Sequence, residues 1–340
     1  MKRAALLLAV IFCALALAGC SEAGASPSSD PLKIGLGMAG SLALSQNFHA
    51  GTPGRAVVTG AVVLIVTDAN GKIVNCLLDA AQPSVEFDAQ GQIVSGITSA
   101  GQSFSELRPG SRSRSSLSAS DKTREAWNAG AVSMTEWAMG KTAEEMQETA
   151  RTRSASVELG AAEFREALLY AFDSPAAGGN VKGPMKNGLG IVVVTDESYS
   201  ASANRPGAGV CTFVAAAVSI GSGGKITQCA LNEMQVRVAF DAAGNLLTDL
   251  SAVPLSKVQI GSAYGMKQVS SIEKEWHEQA KTFSQWTLGK TIEQVKGLRL
   301  MQVSESRTTA PDSPELTSSV TMNVGGFIKA IEKAAANAES

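Results

Sequence analysis

Ala61 to Thr67, AVVLIVT, is a β-branched apolar run, and Asp68-Ala69-Asn70-Gly71 turns the chain into Lys72 to Leu78. Asn-Gly between two such runs is a hairpin signal. In the second half of the chain, Gly221 to Gly224 marks the corresponding turn. Val236 to Asp241, VRVAFD, alternates apolar and polar, which predicts a further strand before a turn at Ala243-Gly244. Strands joined by turns this short pair antiparallel, because parallel pairing needs a long crossover. The period then changes. Ile272, Trp276, Ala280, Phe283 and Trp286 fall on one helix face, and Trp127, Ala131, Met134 and Trp137 trace a similar face earlier in the chain. Aromatic stripes at that spacing pack on a sheet. Phe164 to Phe172 and Phe327 to Ala338 predict a last helix in each half. The expected fold class is α+β: two tandem copies of an antiparallel sheet packed by helices.

The duplication is legible residue by residue. Lys33-Ile34-Gly35-Leu36-Gly37 returns as Lys186-Asn187-Gly188-Leu189-Gly190, and Phe87-Asp88-Ala89-Gln90-Gly91 as Phe240-Asp241-Ala242-Ala243-Gly244, at a constant offset of 153 residues. After a four-residue slip, Trp137 and Gly140-Lys141-Thr142 match Trp286 and Gly289-Lys290-Thr291. A repeat this long is a duplicated domain, since solenoid units run to roughly 20–50 residues. The expected division is a signal peptide over 1–20, a flexible tether over 21–32, repeat domain 1 over 33–172, a linker over 173–185 and repeat domain 2 over 186–337. Protease is expected to cut the Gly/Pro-rich linker and leave two folded pieces.

The amino terminus reads as an address. Lys2 and Arg3 precede the apolar stretch Ala4 to Leu17, which stops short of the about 20 residues that span a membrane. Leu17-Ala18-Gly19-Cys20 follows. These four residues resemble the lipobox of bacterial lipoproteins. The resemblance implies cleavage before Cys20, a diacylglyceryl thioether on its sulfur and acylation of the new amino terminus, an anchor of more than one chain. It also implies an extracytoplasmic protein, attached to a bacterial membrane through lipid. Ser21 to Pro31, SEAGASPSSDP, has the composition of a flexible tether.

Composition narrows the chemistry. Apolar residues are 44% and charged residues 18% of the chain, a globular balance. Twenty-nine basic and 31 acidic residues leave a net charge of −2 with no basic run, which argues against a nucleic-acid partner. Cys76, Cys211 and Cys229 remain after processing and read as small apolar core residues; a tight turn at Gly221 to Gly224 would set Cys229 opposite Ala216 rather than Cys211. The two histidines, His49 and His277, lack metal-ligand spacing, so no metal site and no catalytic residue is assigned. Gly140-Lys141-Thr142 and Gly289-Lys290-Thr291 lack the upstream glycine of a phosphate loop. They read instead as a helix end followed by a capping box, with Glu145 or Gln294 three residues on. Gly35-X-Gly37 and Gly188-X-Gly190 continue to no third glycine and suggest a tight start to a strand.

One resemblance carries function. The strand-turn-strand from Ala217 to Thr227, and Glu315-Leu316-Thr317-Ser318-Ser319-Val320-Thr321 before Phe327-Ile328-Lys329-Ala330-Ile331, resemble the FMN-binding domain of exported bacterial electron-transfer proteins. In that family an acidic residue precedes Ser/Thr-Gly-Ala-Thr, and the last threonine can carry FMN as a phosphoester. The resemblance implies Thr321 as the acceptor, Ser318 as the preceding hydroxyl, Glu315 as the acid and FMN as cofactor. Ser319 and Val320 stand where the family has glycine and alanine, and the first copy reads Ser156-Val157-Glu158, with a carboxylate at the acceptor position. Two function classes follow: a surface flavin electron carrier, or a non-catalytic binding or scaffold lipoprotein that has lost the cofactor. No protein partner is legible.

Overall fold

A computed structural model describes residues 31–97, 133–152, 161–179 and 185–338; the signal segment, Cys20, most of the tether, Trp127, Ala131 and Glu158 lie outside them. The chain is α+β, with antiparallel sheets and helices. In the first half, β1 (Lys33–Ser41), β3 (Thr59–Thr67) and β4 (Ile73–Ala81) form one sheet in the order β1-β3-β4, and β2 (Gly54–Val57), β5 (Ser84–Phe87) and β6 (Ile93–Ser95) form a small second one. Helical residues 133–138, α1 (Ala143–Thr152) and α2 (Ala161–Asp173) follow. In the second half, β7 (Lys186–Val194), β8 (Gly207–Ile220) and β9 (Ile226–Phe240) form one sheet, followed by α3 (Lys257–Ile260), α4 (Trp276–Thr287), α5 (Ile292–Lys296), the short pair β10 (Leu300–Met301) and β11 (Ala310–Pro311), and α6 (Gly325–Ala336).

The strand expected at Val236 to Asp241 is the far end of β9, not a separate strand. Its first-half counterpart is separate for a chemical reason. Pro83 occupies the place of Val236 at the common offset, and a proline has no amide to donate to the ladder. The first-half ladders therefore break at Val58 and at Gln82-Pro83, where β8 and β9 run through unbroken. The helix signal also moves: α4 begins at Trp276, so Ile272 lies before it. Cys229 pairs with Val218 rather than Ala216, because the turn sets Lys225 opposite Gly221 and Thr227 bulges out between the Ser219–Gln228 and Ile220–Ile226 pairs. All three described cysteines are free and buried, and burial pushes their thiols up to about 12, which keeps them protonated and unreactive.

Both faces of the β1-β3-β4 and β7-β8-β9 sheets are covered, which explains the unbroken apolar runs. Val62, Leu64 and Val66 of β3 face a core shared with Leu189, Ile191, Val193 and Phe213 of the other sheet. Ala61, Val63 and Ile65 face α2 and its neighbours. Val214, Ala216 and Val218 face Trp276, Phe283 and Phe327 under α4 and α6. The order of layers is thus helix, sheet, sheet, helix. Each half has a helix-side core of its own, and the two sheets share a central core between them.

Hydrogen bonds between the halves recur at the sequence offset. Phe48 N donates to Gly244 O and Ala201 N to Gly91 O, each at 2.8 Å. Leu246 N donates to Asn47 Oδ1 at 2.8 Å, and Ile93 N to Ser200 Oγ at 2.9 Å. Phe87 and Phe240 stack with centroids 4.0 Å apart. Volumes compensate across this contact. A Cβ on Gly60 would fall 2.4 Å from the ring of Phe213, its own counterpart, and one on Gly209 would fall 2.6 Å from Ala56 Cβ. Close packing leaves room for only one large member of each pair.

The Gly-X-Gly segments are strand interiors, not tight starts. A Cβ on Gly35 or Gly37 would lie 2.0 Å from Ala171 O or 1.8 Å from Ala167 O, and one on Gly188 or Gly190 would lie 1.9 Å from Ala334 O or 2.2 Å from Ala330 O. Glycine there lets α2 and α6 lie directly on β1 and β7.

Candidate functional site

The site implied by the FMN-domain resemblance lies between β11 and α6, in a segment of turns from Ser313 to Ser319. Leu316 and Val320 anchor this segment in the helix-side core, at 1% exposure each. That leaves Glu315 and Ser318 exposed and Thr321 half-buried. The three do not share a partner. Glu315 Oε2 accepts from Trp286 Nε1 at 2.6 Å and lies 3.9 Å from Lys290 Nζ. Lys290 in turn sits 4.6 Å from the centre of the Trp286 ring. Thr321 meets the same helix, α4, nearer its start, at Gln279.

Gln279 organises the threonine. Its side chain is fully buried, and its Oε1 accepts from Thr321 N at 2.9 Å, Met322 N at 3.2 Å and Thr321 Oγ1 at 3.4 Å. Its Nε2 donates to Lys274 O at 3.2 Å and to Ser270 Oγ at 3.4 Å. The amides of Thr321 and Met322 are therefore engaged by a neutral amide oxygen, as is the Thr321 hydroxyl. A buried amide left without its acceptor costs about 1–3 kcal/mol. Gln279→Leu is expected to lower unfolding stability by about that amount in urea denaturation, because it strands the amides of Thr321 and Met322. Nothing in the chain pattern marked Gln279; it reads as an ordinary polar helix residue.

The Gly-Lys-Thr segments fold as the capping reading requires. Gly140 and Gly289 have positive φ after a helix, and Gly289 N donates to Ile226 O at 2.8 Å, docking the loop on β9. Thr291 and Gln294 form the reciprocal box at the start of α5, with Thr291 N donating to Gln294 Oε1 at 2.9 Å. Thr142 N donates to Glu145 Oε2 at 2.9 Å in the first half. The lysine of each segment lies by the matched tryptophan, Lys141 at 5.4 Å from Trp137 and Lys290 at 4.6 Å from Trp286.

A second polar cluster escaped sequence reasoning. Lys257 Nζ, at the start of α3, lies 2.5 Å from Glu233 Oε1 of β9, with both side chains mostly buried. The ammonium sits 4.9 Å from the ring of Tyr264 and 5.3 Å from that of Trp276. Burial opposes the charge of Lys257, yet the Glu233 carboxylate holds its pKa above the ordinary lysine value. At the offset of 153, Ala80 stands in the place of Glu233, so the repeat gave no signal for this pair. Among the described residues no group of three or more His, Cys, Asp or Glu is placed to hold a metal, and no helix is long and apolar enough to cross a membrane. No family model matches the chain, and no curated protein or solved structure matches it.

Proposed function

We propose that this chain is a lipid-anchored extracytoplasmic protein whose two FMN-domain-like repeats serve binding or scaffolding rather than electron transfer. The two halves are tandem copies, joined face to face as a covalent pseudo-dimer. The observation that carries the non-catalytic reading is the engagement of Thr321 by Gln279. The hydroxyl through which a phosphoester would form is tied, with the amides of Thr321 and Met322, to one buried oxygen, and Glu315 is turned to Trp286 and Lys290. The replacement of the family's glycine by Ser319 points the same way, since glycine is what permits close backbone approach to a ligand. The alternative is a surface flavin carrier with FMN on Thr321, which the resemblance of the Glu315 to Thr321 segment favours.

The anchor is assigned to Cys20. Cys20→Ser is expected to abolish lipid labelling and to move the protein from the detergent phase to the aqueous phase; unchanged partitioning would remove the lipoprotein reading. Full-length protein purified from membranes is expected to show no visible flavin absorption. A yellow protein would favour the electron carrier.

A further inference from the structure

The end of the molecule where the tether arrives is marked by lysines in matched pairs. Lys33 opens β1 opposite Thr67, and Lys186 opens β7 opposite Ile220. Lys72 and Lys225 lie in the hairpin turns at those same strand ends, where Asp68 N donates to Lys72 O and Gly221 N to Lys225 O. All four are exposed, and among the described residues none is paired with a carboxylate. The two strand ends lie on one side of the protein. Gln228, near the start of β9, accepts from Ile34 N at 2.9 Å and donates to Leu32 O at 2.8 Å, and Ala177 of the linker exchanges backbone hydrogen bonds with Cys229. The acids that share this end are largely committed. Asp68 accepts from the amides of Asn70 and Lys72, Glu145 accepts from Thr142 N, and Glu293 lies 3.4 Å from Lys296 Nζ. Glu315 is held by Trp286 and Lys290, which leaves Glu144 at the start of α1 and Asp173 at the end of α2. The opposite end carries the Asp88 and Asp241 turns.

We propose that this lysine face, Lys33, Lys72, Lys186 and Lys225, rests on the anionic phospholipid headgroups of the membrane that holds the anchor. The inference rests on the lipid anchor proposed above. Its physical basis is reach and charge. A small, polar Ser/Gly-rich chain as long as Ser21 to Leu32 reaches roughly 20 Å, so the lysines around Leu32 are held close to the membrane. Attraction to anionic lipid acts within a screening length of about 8 Å at physiological salt. The net charge of −2 belongs to the whole chain and does not describe this end. With the face seated, the strands stand away from the membrane and the Asp88 and Asp241 turns point outward, toward whatever the protein binds.

The test uses full-length protein extracted from membranes and reconstituted on vesicles of phosphatidylcholine alone or with phosphatidylglycerol. Lysine acylation is read by mass spectrometry. Labelling of Lys33, Lys72, Lys186 and Lys225 is expected to fall several-fold on the anionic vesicles and to recover at high salt. Lys267, Lys274 and Lys281, near and along α4, are expected to label equally on both. Retention on both vesicles with equal labelling of the four lysines overturns the lysine face and leaves the anchor standing. Loss of the protein from both vesicle types overturns the anchor, and the seated face with it.

Discussion

Gly37→Val is expected to prevent cooperative folding. The new Cβ would meet the Ala167 carbonyl oxygen at 1.8 Å and the Ala171 amide nitrogen at 2.6 Å, both backbone atoms of α2 that no rotamer change can move. Relief requires lifting α2 from the sheet, which uncovers Phe164, Leu168 and the helix-side face of β3. Overpacking alone costs about 1–3 kcal/mol, and uncovering a helix face adds to it against a total stability of about 5–15 kcal/mol. Gly190→Val should act alike on α6, where Ala330 O lies 2.2 Å from the added carbon. Gly179→Ala is the control: nothing lies within 4 Å of its Cβ position and its φ is ordinary, so a change within about 0.5 kcal/mol is expected. Thermal unfolding followed by circular dichroism separates these outcomes. A Gly37→Val protein with a wild-type transition would mean that α2 does not lie on β1 as described.

Separating the halves is expected to cost the fold of both. The central core takes Val62, Leu64 and Val66 from one sheet and Leu189, Ile191 and Phe213 from the other, so a lone half exposes an entire apolar sheet face. Patches of that kind drive association in water. The segment between the halves is also tied down where it is described. Ala176 N donates to Ile34 O at 2.9 Å, and Ala177 N donates to Cys229 O at 2.9 Å. Cleavage after Gly179 should therefore leave two pieces that elute together and unfold in one transition. Residues 33–172 made alone should aggregate or self-associate, and making 186–337 alongside should restore a soluble complex. Two nicked pieces that separate and fold independently would contradict the shared core.

What the chain pattern revealed is what is local. The β-branched run at Ala61 to Thr67, the capping boxes at Thr142 and Thr291 and the last helix of each half each follow from a few adjacent residues. What it concealed depends on which surfaces meet. An unbroken apolar run declares that both faces of a strand are buried without naming what covers them, so the sheet-to-sheet core was invisible. Gly35 and Gly37 could not announce the helix above them, because Ala167 and Ala171 lie far along the chain. Pro83 against Val236 is the exception: the two copies compared position by position show where one ladder breaks. Thr321 shows the limit for the site. Its place in a family-like motif is visible in the sequence, whereas its bond to Gln279, 42 residues away, is a tertiary fact.

The most direct test of the non-catalytic reading is the intact mass of the full-length protein made alongside a flavin transferase. With its amide and hydroxyl bound to Gln279, Thr321 is expected to remain unmodified, and the mass should match that of protein made without the transferase. A gain of one FMN minus water, lost in Thr321→Ala and kept in Glu158→Ala, would contradict the account and establish the chain as a flavin carrier.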